Sequence, residues 1–255
     1  MRYLVSHQEE FGIDTSMLFV GGCSAGAITT LNLAFMTNET RPEYTYSSFL
    51  IPDLGNIDTC GNAIKCNFRI KGIIDMWGAM PDTSLMRDRN IPILAFHGDA
   101  DDIVPYDYDY PFGMAGGLKT MLFEKMFGSS CIVDYAIKHG HQAQLVTFSG
   151  YKHSPHVNPS DKSLNDNFFI IQDMMSDFFY DIVVPNKPEI VEDNDRYYVR
   201  PYPLAPSWQV EGGTILETNG NTVRVKWINN APKRSLTAST TLPFGTGLNV
   251  TKIIN

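Results

Sequence analysis

The amino-acid sequence predicts an α/β fold with a mostly parallel sheet and flanking helices, followed by a smaller β module. The first observation is that short apolar segments alternate with helical patterns over residues 1–184. Buried strands that alternate with helices are typical of parallel sheets with crossover helices. The second observation is a change of character at Pro185, beyond which residues 205–255 show strand alternation and an Asn-Gly turn.

The individual elements follow from hydrophobic periodicity. Strands are predicted over residues 16–22, 69–76, 91–96 and 143–148. Helices are predicted over residues 25–36, about 113–127 and 163–183. The first residues of the chain also follow a helical pattern, which Gly12 ends.

The predicted domain organisation has three parts. Residues 1–184 form the α/β domain, residues 185–204 form a linker rich in proline and charge, and residues 205–255 form a small β-sandwich module. The chain opens as if within a helix and closes as if within a strand. We therefore expect the α/β domain to lack its first strands and the β module to be incomplete.

Composition and charge exclude several classes of protein. The chain has 255 residues and a net charge of −8, with no block rich in lysine or arginine, so we expect no nucleic-acid partner. It has no apolar run of about 18 residues, so we expect no membrane-spanning helix. No secretory signal is visible either. The oligomeric state does not follow from these observations.

The four cysteines give no metal-binding pattern. Cys60 and Cys66 lie in a loop-like segment, where a short disulfide and two free thiols remain equal alternatives. Cys23 and Cys131 lie in apolar surroundings and are predicted to be buried thiols. Because no Cys/His cluster has metal-ligand spacing, we predict neither a metal nor a cofactor.

The segment Gly22-Cys23-Ser24-Ala25-Gly26 joins a predicted strand to a predicted helix. This G-x-S-x-G pattern in a strand–turn–helix setting is typical of a serine nucleophile held on a strained turn. The helix N-terminus favours negative charge, and the backbone N–H of Ala25 is the expected oxyanion donor. The alternative is an ordinary strand–helix turn, because glycine and serine are common residues.

An acid and a histidine follow the serine in the order found in α/β-hydrolases. Asp99, Asp101 and Asp102 come directly after one predicted strand, and His153 and His156 come after the next. Because carboxyl ends of parallel strands share one edge of a sheet, these side chains are expected beside the serine turn. Alternatively, they are solvated loop residues.

Three segments carry a family resemblance over about residues 1–183. "YLVSHQEEFGIDTSMLFVGGCSAGA", "HGDADDIVPY" and "GYKHSPH" resemble α/β-hydrolase esterases of the group that includes feruloyl and acetyl xylan esterases and polyhydroxybutyrate depolymerases. The resemblance implies Ser24 as nucleophile, Asp101 as acid and His153 as base, with His156 in reserve. The sequence departs from the family pattern at Lys152, where glycine is usual.

The resemblance implies a partial α/β-hydrolase fold and a secreted or cell-surface serine esterase without a cofactor. Its substrates would be carbohydrate-linked or polymer carboxylic esters, cleaved through an acyl-enzyme. The family's second oxyanion donor comes from a His-Gly-Gly loop that precedes the first helix seen here. No such run occurs in this sequence, so we expect residues 1–255 to hydrolyse esters poorly. The alternatives are a prolyl-oligopeptidase-like peptidase and a non-catalytic surface or binding protein with a hydrolase-like fold.

The remaining candidate residues lie near the predicted site. Trp77 and Met80 follow the second strand and are predicted to line a substrate pocket, with core packing as the alternative. The aromatic segment 107–113 is a candidate for contact with a sugar or feruloyl ring, with an ordinary surface loop as the favoured alternative. His97 is interpreted as a turn residue, because it precedes the acid. The tail, with its W-x-V-x-G-G and V-x-V-x-W patterns, resembles PKD-like modules.

Overall fold

The computed structural model describes residues 1–47, 52–59, 61, 64–183, 188–200, 206–241 and 247–254. The chain divides into two compact units, Met1–Phe179 and Tyr180–Asn255. The first unit is α/β and the second is built mainly from strands, which is the predicted order of the two parts.

A parallel sheet forms the centre of the first unit. Its strands, in spatial order, are β1 (Leu18–Cys23), β2 (Ile70–Met76), β4 (Ile93–Gly98) and β7 (Ala143–Phe148). Each neighbouring pair is parallel. The predicted sheet is thereby confirmed, and the carboxyl ends of all four strands meet at one edge.

Helices and short antiparallel strands complete this unit. The α-helices are α1 (Arg2–Ser6), α2 (Gln8–Phe11), α3 (Ala25–Phe35), α4 (Lys119–Leu122), α5 (Ser129–Lys138) and α6 (Asp166–Val183). A small antiparallel sheet contains β3 (Ala79–Met80), β5 (Tyr108–Asp109) and β6 (Met126–Gly128). Short 3₁₀ helices cover Glu43–Thr45, Thr83–Met86 and Gly113–Leu118. None of the helices in the described ranges is both long enough and apolar enough to cross a membrane.

The predicted helix over 113–127 is wrong. A 3₁₀ segment, the short α4 and strand β6 occupy these residues, and the crossover helix is α5, which begins at Ser129. Gly116 has a φ of 57°, outside the helical region, and interrupts the pattern. In α5 the buried Ile132, Val133 and Ala136 recur at helical spacing.

The central sheet is covered on both faces. On one face, residues of α3 and α5 such as Phe35 and Ile132 pack with Ile73 and Ile93 of the sheet. On the other face, α6 supplies Ile171 to a second cluster of buried residues. Neighbouring residues along a strand point to opposite faces. The near-continuous apolar strands in the sequence reflect this burial on two sides.

The second unit contains two antiparallel sheets. Its strands are β8 (Glu189–Asp193), β9 (Arg196–Arg200), β10 (Ser207–Glu211), β11 (Gly213–Asn219), β12 (Thr222–Trp227), β13 (Ser235–Thr241) and β14 (Gly247–Ile253). The sheet orders are β10-β13-β14 and β11-β12-β9-β8. Both sheets contribute to one apolar core, as in a β-sandwich.

The prediction of a linker over 185–204 differs from the structure. Residues 189–200 form a β-hairpin that pairs with β12 and belongs to the second unit. Ile190, Tyr197 and Val199 of this hairpin are buried in the sandwich core. Their alternation with charged residues is a strand pattern that the local richness in proline and charge concealed.

The cysteine predictions have mixed outcomes. Cys23 is exposed at the carboxyl end of β1, and Cys131 is only half-buried, so the prediction of buried thiols is wrong. Cys60 lies outside the described residues, and its pairing with Cys66 stays a prediction. The Cys66 thiol donates a hydrogen bond to the carbonyl oxygen of Arg2 at 3.3 Å.

Candidate active site

Ser24 occupies a strained turn between β1 and α3. Its φ of 55° and ψ of −124° lie in a region that residues with a side chain rarely adopt. The Ser24 N–H donates to the carbonyl oxygen of Met76 at 2.9 Å, and the Ile28 N–H donates to the Ser24 carbonyl oxygen at 3.0 Å. The neighbouring strand and the first helical turn therefore hold the serine in this conformation.

The two glycines of the motif have different functions. A Cβ placed on Gly22 would lie 2.4 Å from the carbonyl carbon of Gly26, so a side chain there collides with the backbone of α3. A Cβ placed on Gly26 meets no neighbour within 4 Å. Close approach of strand and helix thus requires glycine at the first position only.

The structure brings the three predicted site residues into one hydrogen-bonded array. His153 Nδ1 lies 2.7 Å from Asp101 Oδ2, and His153 Nε2 lies 2.9 Å from Ser24 Oγ. An ionised carboxylate only accepts hydrogen bonds, so Nδ1 carries the imidazole proton and Nε2 accepts from the serine hydroxyl. This is the arrangement in which a serine can lose its proton to a base.

Asp101 is held as an anion. Its side chain is fully buried, and burial by itself disfavours the charge. The hydrogen bond from His153, the contact with His97 and the backbone N–H of Ile103 outweigh that cost and hold the pKa of Asp101 well below its usual value. The N–H groups of Ile103 and Val104 both donate to Oδ1, at 2.8 and 3.1 Å.

The rival residues have other partners. Asp99 accepts a hydrogen bond from Ser149 Oγ at 3.0 Å, and Asp102 accepts one from Lys152 Nζ at 2.8 Å. His156 lies against Trp77, with the rings stacked at 4.9 Å, and burial lowers the pKa of His156. His153 is therefore the imidazole that faces both the serine and a carboxylate.

Close backbone packing aligns the acid loop with the histidine loop. Gly98 ends β4, and a Cβ there would lie 2.2 Å from the carbonyl oxygen of Tyr151. The same carbonyl accepts a hydrogen bond from the Ala100 N–H at 3.1 Å. These contacts fix the separation between the segments that carry Asp101 and His153.

Ala25, Trp77 and Met80 have different surroundings. Ala25 is exposed and is the first residue of α3, where backbone N–H groups have no partner within the helix. The Trp77 ring is buried and lies edge-on to His153, with 6.4 Å between ring centroids. Met80 is fully buried in the core cluster that contains Phe35, and Trp77 belongs to the second cluster of buried residues. For both residues the structure favours core packing, the alternative to a pocket lining.

Sequence reasoning missed a polar group beneath the array. His97, interpreted as a turn residue, is a fully buried residue of β4, and Asp75 and Ser129 are fully buried beside it. A carboxylate inside an otherwise apolar strand is a signal in the sequence, since charged groups are seldom buried without a partner. Among the described residues, no group of three or more His, Cys, Asp or Glu side chains is arranged to hold a metal ion.

Comparison with protein-family profiles gives no match, and comparison with curated proteins gives none. Among solved structures, the chain is similar to esterase 2 of the planctomycete Thermogutta terrifontis phosphorylated by paraoxon, at 16% identity and a TM-score of 0.44, covering 71% of this chain and 60% of that one. The butyrate-bound form of that esterase is 16% identical with a TM-score of 0.46, and the match covers 71% of this chain and 62% of that one. Esterase PE8 is 17% identical with a TM-score of 0.39, and the match covers 71% of this chain and 57% of that one. The chain thus spans about 60% of the length of the first of these proteins, and likeness at this level adds no weight to a functional conclusion.

Proposed function

We propose that this chain belongs to a serine hydrolase that cleaves carboxylic esters through an acyl-enzyme intermediate. The observation that carries the proposal is the continuous hydrogen-bonded array from Ser24 through His153 to Asp101, mounted on a strained turn. Strained backbone at a polar, partly accessible residue is typical of functional sites. A surface or binding protein has no need of a serine, an imidazole and a buried carboxylate in this order.

The chemistry follows from the protons in the array. Ser24 Oγ attacks the ester carbonyl carbon while His153 Nε2 takes the hydroxyl proton. When the tetrahedral intermediate collapses, the leaving alcohol receives that proton from His153. Water then attacks the acyl carbonyl carbon while His153 Nε2 takes its proton. Collapse of this second tetrahedral intermediate releases the carboxylic acid and returns the proton from His153 to Ser24 Oγ. Asp101 stays anionic throughout and stabilises the imidazolium.

The backbone N–H of Ala25 is the proposed donor to the oxyanion of the tetrahedral intermediate. It lies at the start of an eleven-residue helix, where the peptide dipoles favour negative charge. Such preorganised donors act on charge that develops only in the transition state.

For the substrate, we propose an ester linked to a carbohydrate, a polymer or an aromatic acid. Tyr108 and Phe112 are 48% and 45% exposed and offer flat apolar faces. Lys125 Nζ lies 5.0 Å from the centroid of the Tyr108 ring. The Phe112 N–H donates to the carbonyl oxygen of Ile103 at 2.7 Å, so this segment packs against the loop that carries Asp101.

Acyl-enzyme formation on residues 1–255 tests the proposed function. The chain is mixed with p-nitrophenyl acetate, a feruloylated sugar or a p-nitroanilide, and the acyl adduct is measured by intact-mass spectrometry after acid quenching. We expect adducts from both esters on Ser24 and none from the anilide. The Ser24→Ala chain is the control. Adducts that persist in the control, or acylation by the anilide alone, contradict ester hydrolysis.

A further inference from the structure

A second polar chain lies under the catalytic array, in the interior of the first unit. It links Asp75 on β2, Ser129 at the start of α5 and His97 on β4, all of them fully buried. Ser129 Oγ lies 2.7 Å from Asp75 Oδ2 and 2.7 Å from His97 Nδ1. Buried polar groups cost free energy unless they are paired, and these contacts pair all three side chains.

The far side of the His97 ring faces the catalytic acid. His97 Nε2 lies 3.3 Å from the carbonyl oxygen of Val104, which is its hydrogen-bond acceptor, and 3.3 Å from Asp101 Oδ2. Both neighbours are acceptors only, because the Asp101 carboxylate is an anion. Nε2 must therefore carry a proton.

The hydrogen bond at His97 Nδ1 determines whether the ring carries one proton or two. The Ser129 hydroxyl has one hydrogen, and its two nearest partners are Asp75 Oδ2 and His97 Nδ1, each at 2.7 Å, whereas the Gly78 carbonyl oxygen is farther away at 3.4 Å. If Asp75 is ionised, the hydroxyl donates to it, Nδ1–H donates to Ser129, and His97 is a cation. If Asp75 is protonated, it donates to Ser129, which donates to Nδ1, and His97 is neutral with its proton on Nε2. Either arrangement leaves an N–H directed at the acid loop.

Other contacts hold this buried group in place. Asp75 Oδ1 accepts a hydrogen bond from the Gly78 N–H at 2.9 Å, and a Cβ on Gly78 would lie 2.2 Å from that oxygen. The Tyr106 ring lies edge-on to His97, with 5.6 Å between centroids. Burial raises the pKa of Asp75, which agrees with a proton retained within the group.

We propose that His97 is a positioning residue for Asp101, with its Nε2 proton fixed by Ser129 and Asp75. The inference rests on the function proposed above. The His97 N–H faces the carboxylate that holds His153 and also binds Val104, whose own N–H donates to Asp101. The buried chain of Asp75, Ser129 and His97, called the relay below, thereby fixes the orientation of the Asp101 carboxylate. Asp101 in turn orients the His153 imidazole.

Two amide substitutions differ by one methylene and therefore in how far their N–H donor reaches. In His97→Gln, the amide nitrogen reaches the position of Nε2 and again donates towards Asp101. In His97→Asn, the amide reaches only as far as Nδ1. Both chains are labelled with a fluorophosphonate, and the second-order rate of Ser24 modification is measured. Loss of the N–H that donates to the Val104 carbonyl oxygen and faces the Asp101 carboxylate predicts a rate about tenfold lower for Asn, and within about threefold of the unmodified chain for Gln. Equal losses, or no loss in either chain, overturn the proposal.

A substitution at the other end of the relay covers the case in which the His97 variants fail to fold. Asp75→Asn retains an N–H donor to Ser129, which then donates to His97 Nδ1 and leaves the proton on Nε2. We expect labelling within about threefold of the unmodified chain, whereas Ser129→Ala, which removes the link, lowers it as His97→Asn does. A large loss in Asp75→Asn, or no loss in Ser129→Ala, contradicts the relay.

A spectroscopic readout keeps this inference separate from the proposed function. If the unmodified chain is not labelled at Ser24, the hydrolase proposal fails. The proton on His153 Nδ1 still gives a far-downfield NMR resonance when it bonds a carboxylate, even in the Ser24→Ala background. We expect that resonance to persist with His97→Gln and to broaden or disappear with His97→Asn. Persistence in both variants overturns the positioning of Asp101 by His97.

Discussion

At the scale of single residues, the site depends on how one buried carboxylate is kept charged. Asp101 combines complete burial with N–H donors from His153, Ile103 and Val104. In a medium of low polarity, such donors are worth more than in water, and an anion without them would be neutralised. The neighbouring carboxylates have partners outside the array, which is why one of three adjacent acids is singled out.

Substitution of each acid in turn tests this distinction. Asp101→Asn removes the charge that stabilises the imidazolium and permits the wrong imidazole tautomer. We expect the rate of Ser24 labelling to fall by about 10³–10⁴-fold, the loss typical of a triad acid. Asp99→Asn and Asp102→Asn are the matched controls and should stay within about threefold. A large fall in the labelling rate of either control, with little fall for Asp101→Asn, would show that Asp101 is not the catalytic acid.

Asp75 should make the stability of the first unit depend on pH. Burial raises the pKa of Asp75 above its unfolded value of 3.8, so the folded state holds the proton more tightly than the unfolded chain. The stabilising contribution of Asp75 is complete below the unfolded pKa of 3.8 and is lost as pH rises through the folded pKa. The stability of Asp75→Asn relative to that of the unmodified chain should therefore increase as the pH rises from 4 to 8. The lowered pKa of Asp101 acts in the opposite sense but is common to both chains.

Amide hydrogen exchange of β2 and β4, followed by mass spectrometry, measures that gain within the first unit. The free energy of opening is compared between the two chains at each pH. A difference that stays constant from pH 4 to pH 8 would show that Asp75 has the same pKa in the folded and unfolded states.

At the scale of elements, the strand–turn–helix unit of β1 and α3 presents the serine. The carbonyl oxygen of Met76, the last residue of β2, accepts a hydrogen bond from the Ser24 N–H. Because Gly22 has no side chain, α3 can approach β1 closely. The helix start then places free N–H groups beside the hydroxyl. The position of the Ser24 hydroxyl thus depends on the packing of β1, β2 and α3.

Substitution of each motif glycine tests whether close packing requires glycine at Gly22 but not at Gly26. Gly22→Ala forces a Cβ into the backbone of α3, and we expect a loss of about 1–3 kcal/mol in stability together with a strong loss of labelling at Ser24. Gly26→Ala meets open space within a helix, where alanine is favoured by about 1 kcal/mol, so stability should hold or rise. Thermal melting and labelling rates measure both. Equal effects at the two positions would contradict the packing described.

The sequence allowed some elements to be predicted and hid others for physical reasons. The buried strands were recognisable because apolar residues fill them on both faces, and Ser24, Asp101 and His153 because each follows a strand. The helix α5 was missed because the prediction placed it over the glycine-rich segment just before it. His97 was misjudged because its partner Ser129 is 32 residues away, a contact that no local pattern reveals.

At the scale of the whole molecule, the chain consists of an α/β unit and a β-sandwich unit. The candidate site residues of the α/β unit lie at one edge of its sheet, because the parallel strands end where the serine turn, the acid loop and the histidine loop begin. The sandwich unit contains its own core, formed by residues of both of its sheets. All of the candidate catalytic residues belong to the first unit.

The activation of Ser24 by His153 is measured by the rate at which a fluorophosphonate modifies Ser24 in the unmodified chain and in His153→Ala. Peptide mapping locates the adduct, and intact mass gives its rate of formation. We expect a single adduct on Ser24 that forms at least 100-fold more slowly without the imidazole, since a general base contributes about 10²–10⁴-fold. An adduct elsewhere, or equal rates in the two chains, would contradict an activated serine.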